Sequence, residues 1–116
     1  MNSFWKGFLH AFEGILYFSK GRNARVQMVA AVMVIIAAII FKVSHTEWLI
    51  ITIHIGAVLA AEAFNTSIET LSNHLSPERS QEIKTVKDVA AGAVLFIALS
   101  AFINALIIFL PKLIYW

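Results

Sequence analysis

From Val89 to Leu110 the chain runs for twenty-two residues without a charged side chain. At a rise of 1.5 Å per residue a helix of that length covers about 33 Å, enough to cross a hydrocarbon layer of about 30 Å. Inside lipid, backbone amides have no water to bind, so a spanning segment must pair them within itself as a helix. A second uncharged run, Val26 to Phe41, is sixteen residues long, and the flanking Arg25 and Lys42 extend it by snorkelling. A third opens at Trp48 and continues to about Ser72. With 59% apolar and 14% charged residues, the chain is far oilier than a soluble core of this size requires. The sequence predicts an all-α membrane protein, one domain over 1–116, with spans at about 26–42, 48–72 and 88–110.

The first twenty-two residues read differently. Phe4, Trp5, Phe8, Phe12, Ile15 and Leu16 share one helical face, while Lys6, His10, Glu13 and Tyr17 take the other. That pattern predicts an amphipathic surface helix lying in the membrane interface. Charges recurring through this segment also argue against a cleavable signal. Lys20 to Arg25 forms a basic break before the first span. Thr46 is the expected N-cap of the second span, with Glu47 favourable beside it. Ser76, followed by Pro77, is the expected start of a further helix within a polar loop from Asn73 to Asp88. Pro111 is expected to end the last span, before the interfacial anchors Lys112, Tyr115 and Trp116.

The second span carries the anomaly. Glu62, Asn65, Thr66, Glu69 and Asn73 fall on one helical stripe of an otherwise apolar cylinder. A carboxylate near the bilayer centre costs roughly 2.5 kcal/mol or more, so these groups belong against protein or a wet cavity and mark function. Three thin spans are not expected to enclose the whole stripe, which calls for a partner subunit. Glu69 sits one to two turns inside the interface, and Glu62 lies about 10 Å deeper.

Lys6, Lys20, Arg22, Arg25, Arg79, Lys84 and Lys87 lie on one side of the predicted topology, with only Lys42 and Lys112 on the other. The positive-inside bias places the seven, and the N-terminus, in the cytoplasm. A net charge of +2 gives no sign of a nucleic-acid partner, and the absence of cysteine excludes disulfides and thiolate metal sites. His45 reads as a solvated loop residue and His54 as a packing polar group; neither has a neighbour at metal-ligand spacing. No Gly-x-x-x-x-Gly-Lys occurs, so a phosphate cradle of the P-loop kind is absent.

Glu62-Ala63-Phe64-Asn65-Thr66-Ser67-Ile68-Glu69, followed by Lys87-Asp88-Val89-Ala90-Ala91-Gly92-Ala93-Val94, resembles the paired signature of the small prokaryotic diacylglycerol kinases, a family that includes the undecaprenol kinases. Arg22-Asn23-Ala24-Arg25-Val26 is similar to the undecaprenol-kinase branch. The resemblance implies a homotrimer in the bacterial inner membrane that moves the γ-phosphate of ATP to a lipid hydroxyl. It implies Glu62 as general base, Asn65 as the residue that orients that base or the substrate, Glu69 as ligand of the Mg²⁺ that accompanies ATP, and Glu78, Lys87 and Asp88 as nucleotide ligands. By the same resemblance the chain departs from the family at Gly21, or at Arg22 if the register slips by one, where a second metal-binding Glu is usual, at Asn73 in place of an Asp, and at Ser80 in place of a His. Two other readings follow from the same residues. One is a small oligomeric transporter using Glu62 and Glu69 as proton or cation carriers; the other is a kinase-fold protein with reduced activity.

Overall fold

A computed structural model describes residues 2–75 and 80–115, and every element in them is helical: α1 Ser3–Ser19, α2 Arg22–Ile40, α3 His45–Leu75 and α4 Gln81–Tyr115. Three of these, α2, α3 and α4, are long and apolar enough to cross a membrane. The all-α membrane class read from the sequence is therefore borne out.

Each helix start has a local cause. Asn2 caps α1, its Oδ1 accepting from the Phe4 N–H at 2.9 Å. α1 then gives way to α2 with only Lys20 and Gly21 between them. The Lys20 and Gly21 N–H groups donate to the carbonyls of Tyr17 and Phe18, and the Gly21 carbonyl accepts from Arg25 as the first bond of α2. The turn is thus closed on both sides by backbone bonds.

α2 ends in a six-to-one closure. The Val43 N–H donates to Ala38 O at 3.2 Å and the Lys42 N–H to Ile39 O at 3.3 Å, with Lys42 at φ 52°. This is the Schellman arrangement, in which the residue just past the helix takes a left-handed conformation and the next apolar side chain folds back on the last turn. Val43 does so, joining Ala38, Ile51 and Ile108 in the buried core, with Trp48 and Phe109 packed around them.

The start of α3 corrects the Thr46 expectation. Ser44 is the cap: its Oγ accepts from the Glu47 N–H at 3.1 Å, while Glu47 Oε1 accepts from the Ser44 N–H at 2.9 Å. The reciprocal pair is a capping box, which satisfies two free donors at once and so outcompetes a lone Thr. His45 accordingly belongs to the helix and not to a loop, although it remains exposed. The other Glu47 oxygen accepts from Lys112 Nζ at 2.9 Å, tying the start of α3 to the end of α4.

The expected polar loop from Asn73 to Asp88 is mostly helix. α3 continues to Leu75, and α4 begins at Gln81 with Ser80 Oγ accepting from the Ile83 N–H at 3.1 Å. At 31 and 35 residues both helices exceed what a bilayer needs, so their polar ends project beyond it. Polarity there reflects solvation, with Gln, Glu and Lys all good helix formers. Ser76 and Pro77, the expected helix start, lie outside the described residues. Pro111 does not end α4, which continues to Tyr115. A proline this near a helix terminus forfeits a single backbone bond, too little to stop a helix anchored by packing on α3.

α4 packs chiefly on α3, α2 packs less extensively on α3, and α1 touches α2 only slightly. Phe4, Trp5 and Phe8 cluster on the exposed apolar side of α1, with ring centroids 5.2–5.9 Å apart.

Candidate functional site

Of the residues on the α3 stripe, Glu62 and Asn65 are the buried ones, at 3% and 5% exposure, with Ser72 at 4% about two turns beyond Asn65. Their burial comes from the chain's own packing. As expected, one chain does not enclose the whole stripe: it covers the inner two residues and leaves Glu69 exposed. The physical reason is that α3 packs extensively on α4, so one face of α3 is already covered.

The hydroxyls alongside are satisfied locally. Ser67 donates to Ala63 O at 3.0 Å and Thr70 to Thr66 O at 2.9 Å, the usual way a membrane helix absorbs such groups. Asn65 has no such relief. Its Nδ2 donates to Glu69 Oε1 at 3.3 Å, while its Oδ1 is buried without a hydrogen-bond partner. Glu62 joins none of the ion pairs formed among the described residues. A buried carboxylate and an orphaned amide oxygen are both costly unless something else comes to meet them.

Lys87 reaches from α4 to α3, its Nζ donating to Asn73 Oδ1 at 2.5 Å. Asn73 follows Glu69 by one turn, so the ammonium is brought to the polar stripe. Asp88 turns elsewhere, accepting from Lys84 Nζ at 2.7 Å as an exposed pair one turn apart on α4. Glu78 lies outside the described residues. The structure thus joins Asn65 with Glu69 and Lys87 with Asn73, while Asp88 is engaged on its own helix. No cluster of three or more metal-ligating residues occurs among the described residues.

Beyond the stripe, the structure shows three further features, of which the sequence reading reached only the packing role of His54. A groove of about 690 Å³ separates α1 from α3, lined by Gly14, Tyr17 and Phe18 on one side and Thr66, Thr70 and His74 on the other. Deeper in the membrane, His54 Nδ1 donates to Ile50 O at 2.9 Å, which leaves Nε2 to accept from Ser100 Oγ at 3.1 Å and from Asn104 Nδ2 at 3.4 Å. A cavity of about 240 Å³ adjoins this cluster, and Gln27, whose Oε1 is buried and unpartnered, also lines it. The packing role read for His54 is borne out, while its partners Ser100 and Asn104 were not foreseen.

The sequence pattern described as prokaryotic diacylglycerol kinase matches residues 9–109, nearly the whole chain and all of the stripe. The chain belongs to the prokaryotic diacylglycerol kinase family. Within it, the chain is 38% identical over 114 residues to an undecaprenol kinase of Bacillus subtilis, covering 97% of this chain and 93% of that protein. It is 32% identical over 108 residues to a diacylglycerol kinase of Synechocystis sp., covering 91% of this chain and 62% of that longer protein. No solved structure matches the chain. Gly21 is the N-cap of α2, beside the end of α1.

Proposed function

We propose that the chain is a lipid kinase that transfers the γ-phosphoryl group of ATP directly to the hydroxyl of a membrane lipid. Undecaprenol is the preferred acceptor over diacylglycerol, following the closer likeness to the undecaprenol kinase. The observation that carries the reading is the buried Glu62 and Asn65, one turn apart, with the Asn65 carbonyl oxygen lacking a partner in a helix otherwise built for lipid.

The chemistry divides along α3. Glu62 is the base, accepting the hydroxyl proton as the lipid oxygen bonds to the γ-phosphorus and the bond to the departing ADP oxygen breaks. An alcohol is a very weak acid and the transition state of phosphoryl transfer is loose, so Glu62 mainly aligns the hydroxyl and takes its proton late. Glu69 would hold the Mg²⁺ of the ATP complex, and Asn65 holds Glu69 in place through their hydrogen bond. The donor set fits that ion: Mg²⁺ takes oxygen ligands, keeps several waters and relies on one or two carboxylates plus phosphates, and here a carboxylate and an unpartnered amide oxygen adjoin. Bound there, it neutralises charge on the transferring phosphates. Lys87 faces the same charge, and Glu78 and Asp88 complete the nucleotide contacts.

The active assembly is a homotrimer, with a neighbouring subunit covering the exposed Glu69. The seven-to-two bias of Lys and Arg puts the N-terminus and the nucleotide side in the cytoplasm of a bacterial inner membrane. The test is a phosphorylation assay on purified protein in mild detergent, with γ-labelled ATP and undecaprenol or diacylglycerol supplied separately. Label in the lipid fraction, greater with undecaprenol, is the expected result. No label in either lipid from folded protein would overturn the reading.

A further inference from the structure

At the projecting ends of α3 and α4 two lysines of α4 meet different fates. Lys84 pairs with the Asp88 carboxylate at 2.7 Å, so its charge is compensated on its own helix. Lys87 instead donates to the Asn73 amide oxygen, crossing from α4 to α3. An amide oxygen takes one of the three N–H donors of an ammonium and cancels none of its charge. Lys87 therefore keeps two donors and its full positive charge while losing the freedom of a long side chain. Its place is also fixed: Asn73 is four residues after Glu69, so the two lie on the same side of α3 about 6 Å apart along the axis.

We infer that Asn73 is a positioning residue, one that acts through Lys87 by holding its ammonium, uncompensated, beside the Glu69 end of the stripe to receive nucleotide phosphate. The inference rests on the proposed kinase reading and deepens it by adding a residue outside the two signature motifs. Ordering Lys87 before the nucleotide arrives removes part of the cost of binding, because immobilising one rotamer-rich side chain is a penalty otherwise charged to affinity. The contact also links the two helices that carry the site, with no competing carboxylate on the ammonium among the described residues.

The test uses the full-length protein in mild detergent and two readouts, kinetics with ATP and lipid varied separately, and direct binding of a fluorescent ATP analogue in the presence of Mg²⁺. Asn73→Leu keeps the side-chain shape without an acceptor, and Asn73→Ala removes the side chain. Both should raise the KM for ATP and weaken analogue binding roughly three- to tenfold, the factor set by losing one preordered long side chain. The lipid KM and the kcat at saturating ATP should stay within about twofold, as expected for an interaction that contributes to nucleotide binding alone. In a Lys87→Ala background, Asn73→Leu should add nothing further. Unchanged analogue binding by both variants, or full additivity with Lys87→Ala, overturns the inference while leaving the kinase reading intact. Wild-type protein that binds the analogue but labels no lipid overturns the kinase reading instead, and loss of binding on Asn73→Leu would still support the tie to Lys87.

Discussion

Asn65 and Glu69 stand one turn apart on α3 and straddle a step in burial, the amide enclosed and the carboxylate exposed, with 3.3 Å between Nδ2 and Oε1. A buried donor thereby anchors a side chain that would otherwise sweep through solvent. If Glu69 is the magnesium ligand, Asn65→Ala should raise the Mg²⁺ concentration for half-maximal rate roughly tenfold, within the 10- to 100-fold range typical when an outer-shell partner is lost. Glu69→Gln should raise it further. A titration of initial rate against free Mg²⁺ at saturating ATP checks both.

Glu62 should show a different signature. Glu62→Gln keeps the shape and much of the hydrogen bonding but loses the capacity to take a proton. We expect kcat to fall by about 10²-fold, the low end for general-base contributions, with little change in the KM for ATP. Near wild-type turnover on both lipids would remove Glu62 from the role of base and leave Asp88 as the next carboxylate to test.

His54 is expected to matter for stability alone. Its ring joins α3 to α4 through Ser100 and Asn104, well away from the stripe in sequence. Inter-helix hydrogen bonds of this kind in membranes contribute about 0.6 kcal/mol on average and rarely exceed about 1.7. His54→Ala should therefore destabilise by about 1 kcal/mol in a reversible unfolding titration in detergent, while the rate per folded molecule stays close to wild type.

Lys42 occupies a left-handed conformation, φ 52°, in which a side chain bearing Cβ is strained. Lys42→Gly should stabilise the protein by about 0.5–1 kcal/mol, relief of that strain outweighing the greater freedom of glycine in the unfolded chain. Lys42→Val should destabilise, since a β-branched residue is least tolerated there. The same unfolding titration reads both changes.

What was legible in the sequence, and what was not, follows from the range of the interactions involved. Twenty-two uncharged residues from Val89 dictate a helix whatever surrounds them, and a carboxylate at Glu62 is conspicuous for the same reason. The stripe of Glu62, Asn65 and Glu69 is a matter of helical period and needs no tertiary knowledge. By contrast, Ser44 prevails over Thr46 because of a reciprocal bond with Glu47 that depends on local geometry. The segment around Gln81 to Asp88 looked like a loop because polarity was read as irregularity, whereas it is a solvated helix end. The reach of Lys87 to Asn73 spans fourteen residues and two helices, and no spacing rule foretells it. Burial of Glu62 by one chain alone depends in the same way on how α3 and α4 pack.

Gly21 offers the sharpest test of the proposed metal site, because the family resemblance implies a carboxylate at this position. It caps α2 at φ −70° and ψ 148°, angles open to any residue, so no conformational strain opposes a side chain. An added Cβ would meet the Phe18 carbonyl oxygen at 3.3 Å, a contact relieved by a shift of a few tenths of an ångström. A carboxylate at a helix N-terminus also gains about 0.3–1 kcal/mol from the helix dipole, which offsets that crowding. Gly21→Glu should thus fold with a thermal midpoint close to wild type. Its turnover should be unchanged or higher, and half-maximal rate should be reached at lower Mg²⁺ if the new carboxylate joins Glu69 at the ion. Loss of turnover at an unchanged midpoint and yield would show that this corner of the molecule does not face the metal, and the assignment of position 21 to that neighbourhood would fall.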